Sequence, residues 1–173
     1  MSDRSDARAV LMTGLYGTGK SSVVEEIAFV LEESGVRYGA VDLDWLGWFD
    51  AGVPGNHDAG WPVKLKNVDA VVGNYYDTGV RRFALAGSIG TIDHVDEMRE
   101  TLAMPMMVVR LTLPIEEIER RLSPSVTAGR DDDLAVARRW AAEGWGEGVG
   151  DVVIENDRPI RGVALEVLAA LDW

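Results

Sequence analysis

The sequence predicts an α/β fold: a five-stranded parallel sheet between two layers of helices, a three-layer α/β/α sandwich formed by residues 1–173 as one domain. Three observations point there. Strand-like and helix-like segments alternate along the chain, as parallel strands joined by crossover helices require. The strand candidates are short apolar runs, the pattern of strands buried on both faces. With 173 residues, 47% hydrophobic and 27% charged, the chain suits one compact core, and it shows no repeat, low-complexity tract or internal linker.

The elements follow in order. "RAVLM" is a buried strand. From Ser21 onward Val24, Ile27, Ala28 and Leu31 recur at helical spacing, Glu25, Glu26, Glu32 and Glu33 take the opposite face, and Gly35 closes the helix. "VRYGAVDL" is the second strand, "VKLKNVDAVVGNYYDTG" a helix ending at Gly79, and "RRFALAGSI" the third strand. A helix over "TIDHVDEMRETLA" leads to the strand "MMVVRLTL". Pro114 suits the first turn of "PIEEIERRL", where Glu116 and Glu117 complement the positive helix end. The pattern then breaks at "SPSVTAGRDDD", read as a mobile loop running into the helix "LAVARRWAAEG", so residues from about 122 to 140 form a candidate lid. "DVVIEND" is the last strand, and Val163, Ala164, Val167, Leu168 and Leu171 are the buried face of the last helix. Ligands of such a sheet bind beyond the carboxyl ends of its strands.

A formal net charge of −12 repels polyanions over most of the surface, which speaks against broad nucleic-acid binding. The absence of cysteine excludes disulfides, thiolate metal sites and a thiol nucleophile. "MSDRSDAR" is polar, no signal-peptide core follows it and no apolar run is long enough to span a bilayer, so a cytoplasmic protein with no membrane partner is expected.

Between the first strand and the first helix stands "GLYGTGKSS". Gly14, Gly19, Lys20 and Ser21 satisfy G-x-x-x-x-G-K-[ST] in the strand–turn–helix context that this motif needs. A chain of this length shows the pattern by accident on the order of once in a hundred. The glycines let successive N–H groups turn inward, and the helix start adds unpaired donors and a positive dipole end. Leu15, Tyr16, Gly17, Thr18, Gly19, Lys20, Ser21 and Ser22 are therefore expected around bound phosphates, with Lys20 reaching the β and γ groups and Ser21 ligating Mg²⁺.

"VDLDWLGWFD" ends the second strand. Strand alternation would point Asp42 and Asp44 the same way, toward the cradle: Asp42 for the Mg²⁺ shell, Asp44 to orient or deprotonate an attacking hydroxyl. Capping of the following turn is the competing role for this pair. Trp45 and Trp48, with Phe49 and Trp61, crowd the segment after it as walls of an acceptor pocket, to which Asn67 is also assigned. His57 in "GNHDAG" and His94 are ordinary surface in this reading. "ALAGSI" carries no carboxylate at the end of the third strand, which argues against motor-type ATPases and leaves metal organisation to the aspartate pair. Arg120, Arg121, Arg130, Arg138 and Arg139 bracket the lid, either paired with neighbouring acids or clamping developing charge, and Arg130 is the catalytic candidate among them.

Together, "GLYGTGKSS", "DLD", "RLTLP" with "IEEIERRL", and "DVVIENDRPIRGVALEVLAAL" resemble the small P-loop kinases, which include adenylate, shikimate and adenylylsulfate kinases and chloramphenicol phosphotransferase. That resemblance implies the P-loop NTPase fold with sheet order 2-3-1-4-5, ATP with Mg²⁺, and a short lid closing over the phosphates. It also implies that Arg121 stacks on the nucleotide base, that Asn156 to Pro159, Arg158 included, form the loop behind the base, and that Asp44 binds the acceptor. The lid lacks the regular arginine spacing of nucleotide kinases, and no base-reading N-K-x-D is present. The expectation is thus an ATP-dependent phosphotransferase acting on a hydroxyl of a small molecule, a metabolite or an antibiotic, as a monomer or homodimer. The alternatives are a nucleoside or nucleotide kinase, and a regulatory nucleotide-binding protein without phosphoryl transfer.

Overall fold

The computed structural model describes residues 4–49, 60–123 and 129–173, with side chains in the last stretch from residue 132 onward. Strands β1 (Arg8–Thr13), β2 (Tyr38–Asp42), β3 (Arg82–Ala86), β4 (Met106–Thr112) and β5 (Val152–Glu155) form one sheet in the order β2-β3-β1-β4-β5. Every pairing is parallel. The helices are α1 (Lys20–Glu33), α2 (Leu43–Leu46), α3 (Gly60–Asp77), α4 (Ile92–Leu102), α5 (Ile115–Leu122), α6 (Gly129–Ala142) and α7 (Ile160–Leu171).

The two-residue period of a strand divides the core. On β1, Val10 and Met12 face α1 and α7, where Val23, Ile27, Val163 and Val167 meet them. Ala9 and Leu11 face the opposite layer with Val68 and Val72 of α3 and Met98 and Leu102 of α4. β1 is therefore apolar on both sides, and the loop that follows it at the carboxyl edge is mounted on a strand packed from both faces. Gly35 takes φ 67 just past α1, as a helix terminator does.

Three boundaries differ from the sequence reading. The second strand stops at Asp42 and the chain turns into α2, because the Asp42 carboxylate accepts the Asp44 N–H at 3.0 Å and closes a helical turn. Asp44 is thus a helical residue, and the alternation that would align it with Asp42 does not apply. Pro114 lies in extended conformation before α5 rather than in its first turn. α6 begins at Gly129, earlier than expected, drawing Arg130 and the three aspartates into its start, where negative charge suits the dipole. Residues 124–128 of the proposed lid and His57 lie outside the described residues. No described helix is long and apolar enough to cross a membrane.

Candidate active site

The loop after β1 is shaped by contacts that admit no side chain. A Cβ on Gly14, at φ 137, would stand 2.4 Å from the Leu111 carbonyl oxygen, and one on Gly19, at φ 91, would stand 2.6 Å from Asn156 Nδ2. Thr18 is buried and its hydroxyl donates to the Leu15 carbonyl at 2.8 Å, so it braces the loop from within. Leu15 packs against the small cluster of Ile118 and Leu122 of α5 and Ala137 of α6.

Lys20 opens α1 and is 6% exposed. Its ammonium donates to the Gly14 and Leu15 carbonyls at 3.1 and 3.0 Å and lies 5.3 Å from the Tyr16 ring centre. Burial pulls its pKa down to about 8, a drop opposed by the negative charges of Asp44, Asp42 and Asp133. Tyr16 is pushed up by burial first and then by Asp44 and Asp133. Three carboxylates therefore face the cradle. Asp133 was expected only as a helix-start charge.

Ser21 Oγ donates to Asp42 Oδ2 at 2.7 Å while Asp42 Oδ1 holds the α2 cap, so one oxygen of this side chain meets the cradle serine and the other caps the helix. Hydroxyl and carboxylate are the hard donors that Mg²⁺ prefers. No cluster of three His, Asp or Glu side chains suited to a metal occurs among the described residues, so phosphate oxygens and water would complete the shell, as is usual for Mg²⁺. The residues fit the ion.

A cavity of about 480 Å³ opens at the mouth of the loop, lined in part by Tyr16, Gly19, Lys20, Ser21, Ser22, Asp44, Arg121 and Asp133. Asp44, 42% exposed, stands at its edge with Lys64 Nζ 3.7 Å away. Lys64 reaches it over Gly47, where an added Cβ would lie 2.6 Å from Lys64 Cε. On the other side Arg121 donates to Glu117 at 2.9 Å and to the Asn156 carbonyl at 2.9 Å, which spreads its plane along the cavity wall. Hydrogen bonds from Arg120 and then Arg121 lower the Glu117 pKa to about 2.

Asn156 is fully buried, and its Nδ2 donates to the Thr18 carbonyl at 2.7 Å, tying the loop after β5 to the cradle. The remaining predicted site residues scatter. Arg158 pairs with Glu166 of α7, and Pro159 precedes that helix. Trp45 and Trp48 are 70% and 76% exposed and lie against each other as a tilted pair with ring centres 5.1 Å apart, without lining the described cavity. Asn67 Nδ2 donates to the Leu46 carbonyl at 2.7 Å, capping the end of α2. The backbone of Arg130 lies in the first turn of α6, and its side chain is outside the described residues. Arg138 pairs with Glu119 at 2.6 Å. His94 stacks on Trp61 at 4.3 Å, more enclosed than a surface histidine.

Two arrangements escaped the sequence reading. Tyr16 stacks on Trp140 at 5.1 Å and Trp140 on Trp145 at 4.2 Å, so the end of α6 is pinned to the cradle by three rings. Gly90 leaves room for Trp145, whose ring occupies the place a Cβ would take. The other is the Lys64–Asp44 pair. Aromatic residues in "RRWAAEGWGEG" and the glycine in "SIG" were the available signals.

The strand order, the loop after β1 and the helix it opens define the fold of the small P-loop kinases. A sugar kinase from a Janibacter species superposes with a TM-score of 0.69 at 20% identity, covering 96% of this chain and 95% of the other. The Mycobacterium tuberculosis APS kinase in complex with AMPPNP and APS superposes with a TM-score of 0.65 at 23% identity, covering 98% and 99%. A gluconokinase from Sinorhizobium meliloti gives a TM-score of 0.61 at 20% identity, covering 97% and 93%. No protein-family model and no curated protein sequence matches the chain.

Proposed function

We propose that the protein is an ATP-dependent phosphotransferase that moves the γ-phosphoryl group to a hydroxyl of a small molecule. The observation that carries this reading is the one cavity onto which Gly17, Gly19, Lys20, Ser21 and Asp44 all open, with Asp42 bonded to Ser21 behind them. Sugar, gluconate and APS kinases of the same fold support it. The loop amides and the start of α1 bind the phosphate oxygens. Lys20 follows the charge as the bond from the β,γ-bridging oxygen to the γ-phosphorus breaks and the bond from the acceptor oxygen forms. Asp44 accepts the acceptor's hydroxyl proton, and ADP leaves with the bridging oxygen. Ser21 and Asp42 would hold Mg²⁺, which neutralises charge on the transferring group. Arg121 stacks beside the base, and the lid, with Arg130 at the start of α6, excludes water that would otherwise compete with the acceptor.

The test is ATP consumption against a panel of hydroxylated metabolites and antibiotics, followed by product mass. Asp44→Asn should leave Mg-ATP binding within about twofold and cut transfer by about 10²–10⁴, the usual contribution of a positioned base. Full transfer by this variant would remove Asp44 from the role. Nucleotide binding with no acceptor-stimulated turnover across the panel would favour a nucleotide-sensing protein instead.

A further inference from the structure

At the amino end of the sheet, opposite the cradle, Arg8 of β1 and Arg82 of β3 are partners in register. Register partners on neighbouring strands project from the same face about 5 Å apart, and like charges so placed repel. Neither guanidinium has an ion-pair partner among the described residues. Arg82 Nε and the indole Nε1 of Trp173 are both buried without a hydrogen-bond acceptor. Trp173 follows α7, and its ring lies 5.9 Å from the Arg82 guanidinium carbon. Arg8, Arg82 and Trp173 line one cavity of about 340 Å³ together with Asp6, Arg81 and Asp172. Asp6 spends its ion pair on Arg81, at 2.7 Å, and accepts from Tyr76 at 2.6 Å, and it pairs with neither Arg8 nor Arg82 among the described residues. Asp172 makes no ion pair with either free arginine among the described residues.

We infer that this cavity is a second anion site, built for a tetrahedral oxyanion of the phosphate class and separate from the nucleotide cradle. A chain of net charge −12 has no general reason to set two unpaired arginines side by side. One phosphate accepts from both guanidinium groups, which turns a repulsive pair into a bridged one. Five residue steps along β1 separate Arg8 from Thr13, roughly 17 Å at strand rise, so a phosphate in the cradle cannot reach these arginines. The assignment is independent of the proposed phosphotransfer.

The probe is inorganic phosphate, titrated at constant ionic strength against chloride and read as melting temperature and tryptophan fluorescence. The background is Lys20→Met, which weakens phosphate binding at the cradle. Phosphate should still raise the melting temperature saturably in that background, with one phosphate bound per chain by equilibrium dialysis. Adding Arg8→Gln or Arg82→Gln should weaken this binding about tenfold or more, as loss of a charge-assisted bond does. Arg8 is exposed, so Arg8→Gln should fold, and in phosphate-free, low-salt buffer it should melt higher than its Lys20→Met parent because the repulsion is gone. That order should reverse at saturating phosphate, which a purely structural arginine would not produce. Absence of saturable binding in Lys20→Met, or unchanged binding in Arg8→Gln, overturns the site. Repetition with a phosphate monoester in place of inorganic phosphate separates a free-ion site, where the monoester binds worse, from a phosphorylated-metabolite site, where it binds better.

Discussion

Lys20 is the charge most at odds with its surroundings, and replacing it by methionine turns that conflict into a measurable free energy. Its pKa of about 8 in the folded protein, against an ordinary 10.5, corresponds to about 3 kcal/mol of disfavour for the ammonium. The two bonds to the Gly14 and Leu15 carbonyls, at 3.1 and 3.0 Å, return part of this, of order 1–2 kcal/mol. Without nucleotide, Lys20→Met should therefore be more stable than the parent at pH 7, by about 1–3 kcal/mol. The sign reverses what loss of two hydrogen bonds alone would give. Below about pH 8 folded and unfolded chains both carry the proton and the penalty is full. From there to 10.5 the folded state releases the proton while the unfolded state keeps it, so the wild type gains on the variant and the gap closes. Urea unfolding of both proteins across this range reads the difference directly. Mg-ATP should invert the order at pH 7, because the phosphates then need the ammonium. A variant less stable than the parent at pH 7, with a gap that stays flat as the pH rises, would refute the reasoning.

Asn156→Ala removes the 2.7 Å bond to Thr18 and should cost about 1–3 kcal/mol in unfolding free energy and weaken nucleotide binding, both measurable on the same sample by urea titration and nucleotide-induced fluorescence. Gly14→Ala drives a Cβ to 2.4 Å from the Leu111 carbonyl at φ 137 and should lower stability by about 2 kcal/mol or more, seen in urea unfolding. Asp42→Asn keeps an oxygen to cap α2 but removes the negative charge beside Ser21; stability should hold, while the Mg²⁺ concentration needed for nucleotide binding should rise about tenfold in a metal titration. Trp140→Leu breaks the ring stack on Tyr16 and should cost about 0.5–1.5 kcal/mol beyond the lost burial, separable by a double-mutant cycle with Tyr16→Leu.

The sheet and the cradle were legible because their signals are local. Val24, Ile27 and Leu31 mark one face of α1 by spacing alone, and a glycine pattern flanked by a strand and a helix needs no tertiary contact to be recognised. Asp44 was misplaced for an equally local reason: an aspartate two residues earlier competes for its backbone N–H, and strand alternation is silent about a side chain that ends the strand. The Tyr16–Trp140–Trp145 stack and the reach of Lys64 across Gly47 join residues far apart in the chain, where periodicity carries no information. Asn67 was assigned to the acceptor pocket from residue type, and the structure engages its amide with the Leu46 carbonyl, whereas Arg138 takes the acid-paired alternative weighed for the lid arginines, with Glu119.

The acidity of the cradle rim bears on which form of nucleotide it accepts. Asp42, Asp44 and Asp133 all act on Lys20, so three carboxylates face one buried ammonium that burial already disfavours. Loop amides and the α1 dipole supply only partial charges. A bare triphosphate approaching that rim meets repulsion from Asp44 and Asp42 that these donors do not cancel. Ser21 and Asp42, already paired at 2.7 Å, would hold the divalent ion of the proposed mechanism, whose charge would offset the carboxylates that oppose the phosphates. The same rim leaves Asp44, paired with Lys64, partly exposed, so the proposed phosphotransfer would divide metal organisation and proton acceptance between two aspartates two residues apart.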